Sequence, residues 1–216
     1  MKLYSADLSP YAARVRMAIY AKSLPVTILP PPGDGLKSLQ ALAADPVGRS
    51  PSLELDTGSV IVESATIIEY LEDKHPTPSL RGATPEATAR ARLVARVTEF
   101  YVVPHLQTLF GQLDPETRDQ ARAEAVIAEL TVGLGHLDAL LPTTGFAAGP
   151  RLTTADCMIA PMLFFLPTLS AAFADPGLLS DTAKLAAYID RVQNEIPYRR
   201  VREEMERGLA AMRAGR

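Results

Sequence analysis

The eight residues His75-Pro76-Thr77-Pro78-Ser79-Leu80-Arg81-Gly82 contain two prolines, a glycine and a single apolar side chain. Proline fixes φ and removes a backbone donor, so neither a helix nor a strand continues through such a run. The chain is thereby split into two parts with different patterning. Before the break, short apolar runs bounded by turn residues alternate with helical spacing: strands are predicted at 2–4, 25–29, 52–55 and 60–62, and helices at 10–22, 36–44 and 64–74. The order is βαβαββα. Only Asp56-Thr57-Gly58-Ser59 separates the last two strands, a turn sequence that predicts an antiparallel hairpin and hence an α/β domain with a mixed sheet. From Pro85 onward the apolar residues recur at helical spacing, as in Leu93, Val97, Phe100 and Tyr101 or Ile127, Leu130, Leu134 and Leu137. The expected organisation is an α/β domain at 1–76, a linker at 77–85 and an all-α domain at 86–216. Within the latter, Thr153-Thr154-Ala155-Asp156 is a capping-box pattern, which assigns Thr153 and Asp156 to folding.

Composition narrows the function classes. The formal charge of -3 supplies no general field for nucleic acid. Arg199, Arg200, Arg202, Arg207, Arg213 and Arg216 alternate with Glu203, Glu204 and Glu206, a pattern read as a solvated helix face. The longest apolar run, 157–166, is too short to span a bilayer and contains Pro161. No export signal is recognisable at the start, and a soluble cytoplasmic protein without a membrane or nucleic-acid partner is expected. One cysteine and three histidines give no internal disulfide and no metal-ligand spacing, so no metal is expected. Cys157, inside an apolar helix, is expected to be an inert core thiol.

The segment Ser9-Pro10-Tyr11-Ala12-Ala13-Arg14-Val15-Arg16 stands where the first strand hands over to the first helix. Proline suits the first helical position and serine the cap before it. The helix macrodipole and the unpaired amides there favour an anion and push a nearby ligand thiol toward thiolate. On these residues alone, Ser9 reads equally as a cap or as an anion-stabilising hydroxyl. In Asp45-Pro46-Val47-Gly48-Arg49-Ser50-Pro51, a proline stands at a strand entrance. By itself it reads as an ordinary trans turn; in a cis form it would turn the backbone of Ser50 outward, where an extended peptide can pair with it. Glu63-Ser64 ends the hairpin and opens the third helix. A hydroxyl and helix amides that hold a carboxylate, beside a carboxylate that pairs with an ammonium, make a receptor for an α-amino acid end. The same two residues also read as a plain helix start. Lys37 and Arg49 flank the region and suit a second carboxylate, or are surface charge.

Taken in this order, the Ser-Pro-aromatic segment with Arg-Val-Arg, the Asp-Pro-x-Gly-x-x-Pro turn, the Glu-Ser pair and the helical domain with its Thr-x-x-Asp box resemble the glutathione transferase family across essentially the whole chain. The resemblance implies a thioredoxin-like first domain that binds glutathione as co-substrate. It places Ser9 at the position of the catalytic hydroxyl of the serine-type classes such as tau and zeta, and of the cysteine in omega enzymes. It further implies that the backbone of Ser50, before Pro51, meets the cysteinyl part of glutathione. Glu63 and Ser64 would hold the γ-glutamyl end, with Lys37 and Arg49 near the glycyl carboxylate. Ser9 and Ala12 stand where thioredoxins keep their two cysteines, which excludes disulfide exchange by the protein's own residues.

The implied chemistry is a glutathione thiolate, stabilised by the Ser9 hydroxyl, attacking a small hydrophobic or aromatic electrophile. Tyr11, Ala12, Tyr101, His105, Phe110 and Phe165 are the candidate electrophile-pocket residues, with helix packing the alternative for Tyr101 and Phe110 and a helix-surface position the alternative for His105. Glutathione-dependent cis-trans isomerisation of the maleylacetoacetate or maleylpyruvate type fits the same motif, and a non-catalytic binding module is the third reading. The resemblance also implies a role in detoxification and a homodimer, whose interface would include the apolar face around Leu93 and Val97.

Overall fold

A computed structural model of the chain describes residues 1–31, 50–175 and 178–214. The predicted helix at 36–44, with Lys37, and also Arg49 lie outside the described residues. The contacts divide the chain into two units, Met1–Leu80 together with Asn194–Arg216, and Arg81–Gln193.

The first unit holds strands β1 (Lys2–Tyr4), β2 (Thr27–Leu29), β3 (Ser52–Glu54) and β4 (Val60–Val62), with helices α1 (Pro10–Ala21) and α2 (Ser64–Lys74). They form one mixed sheet in the order β2-β1-β3-β4. The β1–β2 pair is parallel because α1 crosses between them, and the remaining pairs are antiparallel. The expected hairpin joins β3 to β4. Its turn places Gly58 at φ 84, a left-handed conformation that glycine adopts without steric penalty.

Helix α1 is buried nearly all round, with Ala12, Ala13, Val15, Met17 and Ala18 fully enclosed. It packs against α2 on one side and against the C-terminal helix, Ile196–Ala214, on another. That last helix contributes Tyr198, Val201 and Met205 to the core, and a buried aliphatic side chain of this size stabilises by roughly 1.5–3 kcal/mol. The C-terminal helix therefore belongs with the α/β unit, whereas the sequence pattern put it in an all-α domain running 86–216. Its exposed face carries the predicted charges as far as Arg213, with Arg216 outside the described residues, but Glu204 is buried and faces α1.

A second polar group is enclosed at the far end of α1. The Lys22 ammonium, fully buried, donates to Glu72 of α2 and to the Pro78 carbonyl. Glu72 also accepts from the Leu80 N–H at 3.0 Å and the Ser79 hydroxyl at 3.2 Å. The residues after α2 are thus fastened to the α/β unit by one ion pair.

The second unit comprises α3 (Pro85–Tyr101), α4 (Val103–Phe110), α5 (Gln120–Leu140), α6 (Thr154–Leu163), α7 (Leu166–Ala172) and α8 (Ala183–Val192). Thr84 and Asp119 cap α3 and α5 by accepting from Ala87 N–H and Arg122 N–H. The predicted capping box is present: Asp156, fully buried, accepts from the Thr153 N–H at 2.8 Å and the Thr153 hydroxyl at 3.0 Å. It also accepts from the Ala147 N–H, so one carboxylate ties the helix start to the preceding loop. Burial pushes the Asp156 carboxyl above the usual carboxylate range, against those hydrogen bonds. Cys157 is buried in the next turn, as expected.

In α3 the buried face is Ala91, Val94 and Thr98, and the large apolar residues point outward: Leu93 is 46 % exposed, Phe100 63 % and Tyr101 52 %. The apolar period of the sequence was sound, but the small residues occupy the inner face. The reason is a close helix crossing at Gly133 of α5, where a Cβ would stand 1.8 Å from the Tyr101 carbonyl oxygen.

Candidate functional site

Strand register decides which segments meet. Tyr4 stands opposite both Leu29 and Ser52, and Ser52 stands opposite Val62. The residues that follow Tyr4, precede Ser52 and follow Val62 therefore leave the sheet at the same end. These are the 5–9 segment with Ser9, the Ser50–Pro51 pair, and Glu63 with Ser64. The Ser50–Pro51 bond is cis, unlike the ordinary turn that the local sequence alone suggests. The Ser50 hydroxyl accepts from the Ala6 N–H at 3.4 Å, which joins two of the three segments directly.

Ser9 is the N-cap of α1, at φ -70 and ψ 115, with Pro10 at the first helical position. Its Oγ accepts from the Ala12 N–H at 3.2 Å. A serine hydroxyl has two lone pairs and one proton. Capping uses a lone pair and leaves the proton, so the two readings of Ser9 are compatible in one geometry. The helix amide also polarises the hydroxyl that it donates to, which favours donation onward to an anion.

Glu63 occupies the N-cap of α2 at φ 68 and ψ 118, and its side chain makes no capping bond. Such a backbone costs a non-glycine residue roughly 1–3 kcal/mol and recurs where a side chain must be aimed. The exposed carboxylate is thus held away from the helix it precedes. Ser64 is the first helical residue rather than the cap, and it is buried.

Tyr11 lies half-buried under the Arg14 guanidinium, 4.9 Å from its ring centre. Ala12, expected to line a pocket, has no exposed surface; its site contribution is the N–H held by Ser9. In the second unit, half-buried Phe110 meets buried Phe165 edge-to-face at 4.9 Å. His105 faces Glu129, with Nδ1 3.3 Å from its carboxylate. Tyr101 stands edge-on to His136 at 5.7 Å and shares with Leu93, Val97, Ala139 and Leu140 an open apolar groove of about 420 Å³. The pocket candidates of this unit therefore divide among three surroundings.

Arg16, part of the Arg-Val-Arg motif but given no role by the sequence, lies two turns into α1 and is 1 % exposed. Its guanidinium donates to Ser5 Oγ, to the Ala6 carbonyl at 3.0 Å and to the Asp7 carbonyl at 2.8 Å. Its Nε is 2.7 Å from Glu204 Oε2, an ion pair without hydrogen-bond alignment. Burial lowers the Arg16 pKa, while Glu204 and Asp7 oppose that shift. The Tyr20 hydroxyl donates to the other Glu204 oxygen at 2.5 Å; burial and this bond raise the Tyr20 pKa. The available signal was two arginines in a helix otherwise apolar on every face.

Two family models match the chain: the glutathione S-transferase N-terminal domain over residues 3–79 and the C-terminal domain over residues 119–191. A maleylacetoacetate isomerase from Pseudomonas aeruginosa is 31% identical over 194 residues, covering 87% of this chain and 91% of the relative. Glutathione S-transferase Z2 from Arabidopsis thaliana is 30% identical over 205 residues, 91% of this chain and 87% of that one. Among solved structures, a glutathione S-transferase from Methylobacterium radiotolerans in complex with glutathione sulfonate superposes with a TM-score of 0.76 at 25% identity, covering 93% of both chains.

Proposed function

Since the chain belongs to the glutathione S-transferase family, we propose that it binds glutathione at the sheet end where the Ser9, Ser50 and Glu63 segments emerge, and that Ser9 activates the thiol. The observation that carries this reading is the Ser9 hydroxyl, which caps α1 through a lone pair and keeps its proton for the sulfur. A thiol of pKa about 8.5 is only a few per cent ionised at neutral pH. Lowering that value by about two units takes roughly 2.7 kcal/mol, within reach of one hydrogen bond to the anion together with a helix N-terminus. Glu63, with its carboxylate directed outward at positive φ, supplies the acceptor for the γ-glutamyl ammonium, and Ser64 with the α2 amides receives the neighbouring carboxylate. The Ser50 backbone pairs with the cysteinyl part. Lys37 and Arg49 are assigned the glycyl carboxylate on the family resemblance.

The thiolate then attacks an electrophilic carbon. In conjugation the new carbon–sulfur bond persists, a leaving group such as halide departing with its electron pair or the adduct of an unsaturated carbon taking a proton from water; in isomerisation the sulfur adds, a carbon–carbon bond rotates and the sulfur leaves. The isomerase relative, matched over 91% of its length, supports the second outcome as the alternative. The exposed apolar groove with Leu93 and Val97 supports a homodimer, because a surface of this kind is otherwise an aggregation liability. A cytoplasmic detoxifying role accords with this chemistry.

The test is ultraviolet titration of the thiolate of protein-bound glutathione in wild type and Ser9→Ala. The expected result is a bound pKa below the free value that rises by about one unit in the variant, the hydroxyl's share, while the helix N-terminus keeps the rest. Glutathione that binds with an unshifted pKa refutes activation by Ser9. Turnover of a halonitrobenzene against a cis-enone diacid then separates conjugation from isomerisation.

A further inference from the structure

Building on the assignment of Ser9 as the thiol activator, we infer that Arg16 is a positioning residue for Ser9 and that the C-terminal helix holds it in that role. Side chains in an α-helix lean toward its N-terminus, so Arg16 reaches back over two turns to the segment that precedes its own helix. There its guanidinium engages three consecutive residues, Ser5, Ala6 and Asp7. The Ala6 carbonyl is the shared atom: it accepts from Arg16 at 3.0 Å and from the Ser9 N–H at 3.1 Å. Only one oxygen separates the guanidinium from the backbone of Ser9. The N–H of the same Ala6 donates to Ser50 Oγ, so the guanidinium also bears on the second segment at this end of the sheet.

The C-terminal helix supports this segment twice. Glu204 pairs with the buried Arg16, and Arg207 approaches Asp7 at 3.8 Å. One turn beyond Glu204, Gly208 lies directly against Leu8: a Cβ there would stand 2.7 Å from Leu8 N and 2.9 Å from Leu8 Cβ. The helix backbone thus abuts the residue adjacent to Ser9, and its carboxylate fixes the guanidinium behind it. A hydrogen bond to sulfur depends steeply on geometry, and a segment pinned at four consecutive residues keeps the hydroxyl at one height above the helix end. A planar fork of donors is required for this; a lysine keeps the charge but cannot span three acceptors.

The experiment compares wild type, Ser9→Ala, Arg16→Lys, Gly208→Ala and the doubles R16K/S9A and G208A/S9A, as full chains. The bound-thiol pKa of glutathione, its dissociation constant, and kcat and KM are read on each. Arg16→Lys is expected to raise the bound pKa by about one unit, and so to lower kcat/KM about threefold at pH 7 and about tenfold well below the bound pKa, where the thiolate fraction follows the pKa in full. Glutathione affinity is expected to change by less than about threefold, because the Glu63 and Ser64 contacts remain. Gly208→Ala, which changes no charge, is expected to act in the same direction. In the Ser9→Ala background neither substitution is expected to shift the pKa further. An unchanged bound pKa in a folded Arg16→Lys or Gly208→Ala protein overturns the positioning role, as does an equal shift with and without Ser9. Loss of folding in both variants overturns it in favour of a purely structural pin. If Ser9→Ala alone leaves the thiol pKa unmoved, the activator assignment fails and this inference falls with it; a shift in Ser9→Ala with none in the other two removes this inference alone.

Discussion

Replacing Lys22 by methionine removes one half of an ion pair whose side chains are 0% and 2% exposed. The Glu72 carboxylate would keep its bonds from the Leu80 N–H and the Ser79 hydroxyl but lose its only buried counter-charge among the described residues. Breaking a buried pair in this way typically costs about 3–5 kcal/mol, because a charge is left in a medium that solvates it poorly. The double variant Lys22→Met/Glu72→Leu carries no charge at that point. Of the groups it leaves without these partners, Pro78 and Ser79 are exposed and turn to water, and the buried Leu80 N–H is an expected loss of about 1–3 kcal/mol. The single substitution is therefore predicted to destabilise more than the double. For a chain of this size 1 kcal/mol corresponds to about 2–4 °C, so Lys22→Met should lower Tm by roughly 6–20 °C. Calorimetry and urea unfolding of both variants at pH 7 provide the assay. A single variant as stable as the double, or more so, would refute the reasoning, since it would mean that water reaches the pair.

Glu63→Gly should relieve the positive φ and stabilise the protein by about 1 kcal/mol while weakening glutathione binding at least about tenfold; calorimetric titration beside thermal unfolding checks both, and unchanged affinity would remove Glu63 from the site. Gly133→Ala should destabilise by about 1–3 kcal/mol despite alanine's better helix propensity, because its Cβ meets the Tyr101 carbonyl; a raised Tm contradicts this. Burial pushes the Tyr198 hydroxyl up to about 12. The unfolded chain releases that proton near pH 10 and the folded one does not, so this contribution is full below pH 10 and is lost as pH rises toward 12, by at most about 2.7 kcal/mol. Urea unfolding of Tyr198→Phe across this range should show a flatter alkaline decline than wild type, and an equally steep one refutes the assignment.

Local chemistry carried most of what the sequence revealed. The strand at Val60–Val62, the helix at Ser64–Lys74 and the hairpin between β3 and β4 follow from period and turn residues, which act over a few positions. The capping box at Thr153 was equally legible, since both partners lie within one turn. Three features were not. The inner face of α3, Ala91, Val94 and Thr98, went unnamed, because periodicity identifies the stripe of large residues but not the glycine on another helix that selects a small one. Glu204 reads as one more surface charge among arginines, and its partner Arg16 is far away in the chain. For Ser9 the cap is a matter of geometry that residue types leave open, and the Ala12 N–H at 3.2 Å shows one lone pair of the hydroxyl engaged.

The return of residues 194 onward to the α/β unit also has a bearing on biosynthesis. A ribosome delivers the strands, α1 and α2 first, and the six helices of the second unit next, all before the segment that covers one flank of α1. Until then Arg16 lacks its Glu204 partner and Leu8 lacks the helix backbone at Gly208. The nascent chain is thus expected to fold its middle before its beginning is complete. A fragment ending near Leu80 would be an incomplete structure rather than an excised domain, and a truncation that removes Glu204 and Gly208 takes away the cover of the 5–9 segment.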